Sequence, residues 1–257
     1  MMYKLILLDL DGTLLHTDKT ISDYTVSVLE QCKRKGFIVG VSTARGESNA
    51  VQYIKRISPD LIISSGGALV RYKDEVLYSC TFDEDETRGI IDAGFELTDS
   101  KCEITVDTLE AHYWNYKEDP HIMSPDWGEV EYTDYSDFNQ SSLKISIELQ
   151  DEDIARKIAD RFDCDYARFS DGNWYKFSKR NATKERAIKE IIYKLGISEK
   201  EIIAFGDDYV DIEMLSISGL GVAMGNAIKE VKEIADDVTK SNDEDGVAVY
   251  LEENILK

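Results

Sequence analysis

Residues 5–13, Leu5-Ile6-Leu7-Leu8-Asp9-Leu10-Asp11-Gly12-Thr13, are the stretch whose reading decides the fold. Four consecutive aliphatic residues bounded by polar ones read as a strand buried on both faces. Strand alternation carried into the next residues puts the side chains of Asp9 and Asp11 on one side. Gly12 then lets the backbone turn away, which leaves both acids at the carboxyl end of the strand, where open α/β sheets place their ligands. The pair is a candidate reaction centre.

Outward from this strand the pattern is β-α-β-α-β. An amphipathic helix runs over Ser22 to Lys35 with Gly36 at its C-terminal cap, a strand over Phe37 to Val41, a helix from Glu47, and a strand over Asp60 to Ile63. The same grammar returns near the C-terminus. Helix Lys184 to Leu195 is closed by Gly196, then come strand Glu201 to Phe205, a short helix through Met214, strand Gly219 to Ala223, helix Ala227 to Ile234, a short strand Asp237 to Thr239 and a helix from Val247. Between these halves lie a helix over Glu84 to Phe95, strands over Glu103 to Asp107, Tyr113 to Tyr116 and Leu143 to Leu149, a helix over Asp151 to Phe162, and two short strands. Alternation in LKISIEL and WYKFS points to antiparallel strands with one wetter face. The fold class is therefore α/β: a Rossmann-like parallel-sheet core, residues 1–80 and 181–257, with an α+β domain inserted at residues 81–180.

Composition narrows the function. With 42% apolar residues among 257, the chain has ample material for a core. Its 30 basic and 51 acidic residues give a formal charge of −21. That field repels nucleic acid and anionic membranes, so an anionic ligand needs local basic residues or a metal ion. Cys32, Cys80, Cys102 and Cys164 form no C-x-x-C pair and read as reduced thiols. No apolar run approaches the roughly 20 residues that span a bilayer. A soluble, cytoplasmic protein is expected.

Three further polar segments fall at the same edge of the proposed sheet. Ser42, Thr43 and Arg45 follow the second strand in VSTAR, where a hydroxyl and backbone N–H groups could hold a phosphate; taken alone, helix capping is the simpler reading. Lys184 opens a helix in NATKERA, where its charge opposes the helix dipole. GDDYVD, 206–211, offers Asp207, Asp208 and Asp211, a costly cluster without a cation, for which Mg²⁺ is the natural partner; an N-cap is the alternative. Two acids, a hydroxyl, an ammonium and a second acidic cluster are what phosphoryl transfer requires. Hydrolysis of phosphate monoesters is so slow uncatalysed that enzymes accelerate it by up to the order of 10²¹-fold.

Taken together, DLDGT, VSTAR, the Lys184 segment and GDDYVD, in that order, resemble the four motifs of the haloacid dehalogenase-like phosphatase superfamily, in its Cof-type branch with an α+β cap inserted after the third strand. The resemblance continues through GVAMGNA, 221–227, and SNDEDGVA, 241–248. It implies that Asp9 is the nucleophile forming an aspartyl-phosphate, and that Asp11 protonates the leaving group and then activates water. It implies that Gly12, Thr43 and Lys184 bind the phosphoryl group. Mg²⁺ would be held by the Asp9 carboxylate, the Asp11 carbonyl and Asp207, with Asp211, Asp208 and Arg45 supporting. The implied substrate is a small phosphorylated metabolite, a sugar phosphate or a phosphorylated cofactor, with no nucleic-acid or membrane partner, and the chain is expected as a monomer or weak homodimer.

Three positions depart from the pattern: Val210 stands where Asn is usual, Glu185 where Gly is usual after the lysine, and Gly66 where Asn is usual after the third strand. Val210 and Glu185 leave a weakly catalytic phosphate-binding regulator as a rival reading, and a phosphomutase, which uses a similar cap and aspartyl-phosphate, is another. A phospho-receiver domain is disfavoured by the inserted domain and the second acid of DLDGT. GLGVAMG, 219–225, misses the G-x-G-x-x-G spacing of dinucleotide loops, and no P-loop motif occurs. Tyr113, Trp114, Tyr116, Trp127, Tyr132 and Tyr135 either stack on a ligand ring or supply packing area, packing being the simpler reading. His16, His112 and His121 show no metal-ligand spacing and receive no role.

Overall fold

The structure, a computed structural model, describes residues 3–73, 75–123, 127–169 and 172–257. The chain forms two compact units: Met1–Ala44 with Gln52–Tyr78 and Thr183–Lys257, and Arg45–Val51 with Ser79–Ala182.

In chain order, the first unit opens with β1 (Leu5–Leu8), α1 (Asp23–Arg34), β2 (Ile38–Ser42), α2 (Glu47–Ile57, whose first turns belong to the second unit), β3 (Leu61–Ser64), β4 (Leu69–Tyr72) and β5 (Glu75–Ser79). The second unit contributes α3 (Glu84–Leu97), β6 (Ile104–Asp107), β7 (His112–Trp114), α4 (Pro120–Met123), β8 (Glu131–Tyr132), β9 (Lys144–Glu148), α5 (Glu152–Phe162), β10 (Cys164–Arg168) and β11 (Trp174–Lys179). The chain then returns through α6 (Lys184–Leu195), β12 (Ile202–Gly206), α7 (Ile212–Ile217), β13 (Leu220–Ala223), α8 (Lys229–Ile234), β14 (Asp237–Val238) and α9 (Gly246–Asn254).

The first unit is built on an eight-stranded sheet in the order β14-β13-β12-β1-β2-β3-β4-β5. Pairs from β14 through β3 are parallel, and β4 joins β3 antiparallel. All four residues of β1 are fully buried, as an aliphatic run at the centre of a parallel sheet should be. The helices start and stop where local chemistry dictates. Ser22 caps α1 by accepting from Thr25 N–H, Thr183 caps α6 by accepting from Arg186 N–H, and Gly196 closes α6 in the left-handed conformation.

The second unit has a six-stranded sheet, β10-β11-β9-β6-β7-β8, antiparallel except for the short β7–β8 pair. Ile104, Val106, Ile145 and Ile147 alternate into one core with Ile90, Ile91 and Ile158 from α3 and α5. The opposite face holds Thr105, Lys144 and Ser146, polar as the alternation requires but buried, so the wetter face expected from KISIE is not wet.

β4 and β5 were not legible in the sequence, because LVRY follows a Gly-Gly turn and is too short to show a period. β8 and α4, at two and four residues, fall below the length at which periodicity speaks. The four cysteines are free thiols. None of the described helices is long and apolar enough to cross a membrane.

Candidate active site

β1 is flanked by β12 and β2, so the order of strands reverses around it, the topology that opens a crevice at the carboxyl ends. Leu8 is in register with Phe205 on one side and Val41 on the other. Asp9, Asp207 and Thr43 therefore leave the sheet at the same edge, each within a residue or two of its strand's last paired position.

Lys184 ties this edge together. Its Nζ donates to Asp9 Oδ1 at 2.8 Å, to Asp211 Oδ1 at 2.7 Å and to the Ser42 carbonyl at 3.0 Å. Asp9, Lys184 and Asp211 are 6%, 4% and 0% exposed. The other oxygen of Asp211 accepts from the N–H groups of Asp207 and Asp208 at 3.0 and 3.2 Å, which folds the GDDYVD loop around it. Thr13 donates its hydroxyl to Asp207 Oδ1 at 2.9 Å.

Two glycines make these approaches possible. Gly12 has φ +78°, and a Cβ there would overlap Asp207 Oδ2. Gly67, at φ +107°, lies so close to the Thr183 carbonyl at the head of α6 that any side chain would push the lysine-bearing turn away.

The electrostatics follow from burial. Burial raises the Asp9 carboxyl well above its ordinary range, Asp211 adds repulsion, and Lys184 opposes both without cancelling them. Burial alone would discharge Lys184, but Asp211 and Asp9 outweigh it and hold its pKa above the usual lysine value. Asp207 is pushed up to about 6, first by burial, against the Thr13 hydrogen bond and with repulsion from Asp211 and Asp208. One ammonium thus faces three carboxylates.

A divalent cation fits that deficit. Oxygens of Asp9, Asp207 and Asp211 lie within 4.8 Å of one another. All are hard donors of the kind Mg²⁺ takes. Because both Asp211 oxygens already accept hydrogen bonds, Asp9 and Asp207 are the carboxylates suited to bind it, and Asp211 holds the lysine and the loop.

The remaining sequence-derived candidates sort clearly. β1 ends at Leu8, before either acid, so strand alternation does not set the direction of Asp11; its side chain is 38% exposed and its Oδ1 accepts from Lys19 Nζ at 2.7 Å. Thr43 is buried, and its N–H is committed to the Ile63 carbonyl at 2.8 Å, so a phosphate contact from it would come from the hydroxyl. Helix α2 starts at Glu47, which removes helix capping as the reason for Ser42 or Thr43. Arg45 falls in the second unit, where its NH1 is 3.5 Å from the Asn49 carbonyl. Asp208 is exposed and caps the short turn Tyr209–Asp211.

The three departures leave the buried cluster untouched. Val210 is 55% exposed. Glu185 pairs with Lys189 one turn along α6. Gly66 takes φ 72° and donates its N–H to the Thr43 carbonyl at 3.1 Å.

Three residues without an assigned role also brace the site. Besides Thr13, Asn226 donates Nδ2–H to the Gly12 carbonyl at 2.7 Å and accepts from Asn242 N–H at 2.9 Å, while Asn242 donates to the Leu15 carbonyl at 2.9 Å. Their positions in DLDGT, GVAMGNA and SNDEDGVA were the available signal. Spacing alone could not say that amides more than 200 positions away hold a turn at residue 12.

The chain is similar to known proteins over nearly its whole length. A family model described as haloacid dehalogenase-like hydrolase matches residues 6–251. The chain is 28% identical over 260 residues to the putative phosphatase YkrA of Bacillus subtilis, covering 97% of each chain. It is 30% identical over 263 residues to the 5-amino-6-(5-phospho-D-ribitylamino)uracil phosphatase YitU of the same organism, covering 97% of this chain and 96% of the relative. A crystal structure of a hypothetical protein from Geobacillus kaustophilus superposes with TM-score 0.86 at 27% identity, over 99% of this chain and all of that one.

Proposed function

Because the chain belongs to the haloacid dehalogenase-like hydrolases, in their Cof-type branch, we propose that it is a Mg²⁺-dependent phosphatase that hydrolyses a small phosphorylated metabolite through an aspartyl-phosphate on Asp9. The observation that carries the reading is the convergence of Asp9, Lys184, Asp207 and Asp211 from three distant segments into one buried cluster.

In this reading an oxygen of Asp9 attacks phosphorus as the ester P–O bond breaks. Asp11 gives its proton to the departing oxygen and then takes one from the water that attacks the aspartyl-phosphate, which releases inorganic phosphate and restores the Asp9 carboxylate. Lys184, with Gly12 and Thr43, holds the phosphoryl oxygens. Asp9, Asp207 and the Asp11 carbonyl would hold Mg²⁺, which when bound neutralises charge on the nucleophile and the phosphoryl group. Asp211 keeps Lys184 in place. Since Asp11 rests against Lys19, its proton-transfer role calls for that exposed pair to part, a small cost for a surface ion pair.

The substrate class proposed is a sugar phosphate or a phosphorylated cofactor, with the second unit, residues 81–180 as delimited from the sequence, acting as the cap that selects the leaving group. The relative YitU is named for a phosphorylated ribityl compound, which supports that class. The regulator alternative drew on Val210 and Glu185; Val210 is 55% exposed and Glu185 pairs with Lys189 along α6.

The test is phosphate release from a panel of sugar phosphates with and without Mg²⁺, beside Asp9→Asn. Release that needs Mg²⁺ and vanishes in the variant is the expected result. Equal rates for both proteins would sink the reading, and a phosphorylated isomer in place of free phosphate would turn it toward a mutase.

A further inference from the structure

Two motifs named from the sequence, GVAMGNA and SNDEDGVA, supply none of the reacting groups, yet both meet the turn that follows Asp9. From within, that turn gathers on one atom: the Leu10 carbonyl accepts from the N–H groups of Thr13, Leu14 and Leu15 at 3.3, 3.0 and 2.8 Å. A carbonyl oxygen has two lone pairs for these three donors, so the turn gains from support outside itself.

Asn226 gives that support at Gly12. Its Nδ2 donates to the Gly12 carbonyl at 2.7 Å, and its Oδ1 accepts from Asn242 N–H at 2.9 Å. The carbonyl can only accept and the N–H can only donate, so the partners fix which way the amide faces. A neutral amide makes both bonds at once. An aspartate lacks the donor, and a lysine lacks the acceptor and brings a charge that competes with a cation.

The segment that carries Asn226 is itself bound to the GDDYVD loop. Met224 N–H donates to the Gly206 carbonyl at 3.1 Å, and Ile228 N–H donates to the Asp207 carbonyl at 3.0 Å. Residues 224–228 therefore hold the main chain of Asp207 and, through Asn226, the carbonyl of Gly12. The turn in its place confines both oxygens of the Asp207 carboxylate. The Thr13 hydroxyl donates to Oδ1 at 2.9 Å, and Gly12 lies so close that a Cβ would come within 2.2 Å of Oδ2.

Folding stability alone gives little reason for this link. Asn226 is exposed and Gly12 half-buried, so water can meet both groups when they part, and the net gain from such a bond is modest. What the link does fix is the spacing between the DLDGT turn and the carboxylate that leans on it.

We propose that Asn226 is a positioning residue for the cation site: by holding Gly12 it sets the Asp207 carboxylate where Asp207 and Asp9 can share Mg²⁺. The inference rests on the phosphatase reading above for the metal and deepens it by naming a residue that acts through Gly12 and Thr13. Groups that orient metal ligands in this way account for roughly 10- to 100-fold in metal affinity or activity.

The experiment measures the Mg²⁺ dissociation constant of the full chain by isothermal calorimetry after EDTA treatment and without substrate, beside Tm in EDTA. Asn226→Ala is expected to bind Mg²⁺ roughly 10- to 100-fold more weakly. Asn226→Gln, which keeps donor and acceptor on one amide, is expected to lie between that variant and the native chain. Tyr250→Phe removes a hydrogen bond to Asp237 in the same unit and is the control for stability; its dissociation constant should stay within about 2-fold of native while its Tm falls. Mg²⁺ affinity of Asn226→Ala within about 2-fold of native would overturn the proposal, as would an equal weakening in Tyr250→Phe, which would tie the loss to stability. If the native chain binds Mg²⁺ but releases no phosphate from any ester, the phosphatase reading fails and the dissociation constants still decide for or against Asn226. If the native chain binds no Mg²⁺, the proposal is overturned whatever phosphate is released.

Discussion

Asp207→Asn should make the metal-free protein more stable, although it removes a residue proposed to hold the metal. Asp207 titrates near 6 instead of 3.8, chiefly because it is buried. A carboxyl whose folded pKa is raised contributes stability that is fully present below about pH 4 and lost as pH rises through 6. Above pH 7 the folded state therefore carries an ionised Asp207 at a cost. A rise from 3.8 to about 6 corresponds to about 3 kcal/mol at full burial, and partial solvent access reduces this to about 1–2 kcal/mol. In EDTA at pH 8, Asp207→Asn is then expected to melt roughly 2–6 °C higher than the native chain, with about half that gain left at pH 5. Added Mg²⁺ reverses the order: at 100 times its dissociation constant it stabilises the native chain by about 2.7 kcal/mol and leaves the variant unmoved. Differential scanning fluorimetry across pH, with and without Mg²⁺, reads both effects. If the variant melts at or below the native temperature in EDTA at pH 8, the argument that Asp207 is a buried charge awaiting a cation is wrong.

Two other outcomes follow from the same geometry. Gly12→Ala places a Cβ on Asp207 Oδ2 at a left-handed φ, so a loss of about 2–3 kcal/mol, a Tm lower by roughly 5–10 °C and at least a tenfold fall in phosphate release are expected; calorimetry beside a phosphate assay checks both. Glu185→Gly and Val210→Asn restore the usual family residues, yet Glu185 is paired with Lys189 and Val210 is 55% exposed, so kcat/KM and the Mg²⁺ concentration for half-maximal rate should each change less than about 2-fold. A tenfold gain from either would show that these positions act on the site after all.

Much of the parallel sheet was legible because a strand buried on both faces has a signature that survives without context. Leu5 to Leu8, Ile202 to Phe205 and the helix stop at Gly196 were readable within a residue or so of where they lie, whereas the capping hydrogen bonds of Ser22 and Thr183 came from the structure. The short elements β4, β8 and α4 were not, since a period cannot be counted over two to four residues. Asp11 shows the limit of a local rule. Alternation assigned its direction from a strand that ends at Leu8, and in the structure the Asp11 carboxylate, past that end, meets Lys19.

The sequence by itself determined which chemical groups are present and in what order: the acids of DLDGT and GDDYVD, the lysine of NATKERA and the α/β frame that carries them. These are local properties of residue type and period. Only the tertiary structure decided how the charges are shared. Asp211 gives both oxygens to Lys184 and the loop, Asp207 is left poised near pH 6, Glu185 turns to Lys189, and Asn226 holds Gly12. It alone revealed that three strands align Asp107, His112 and Lys144 in one buried row, which no spacing in the sequence marks. The physical reason is that hydrogen-bond satisfaction and desolvation depend on neighbours distant in sequence, which no local pattern records.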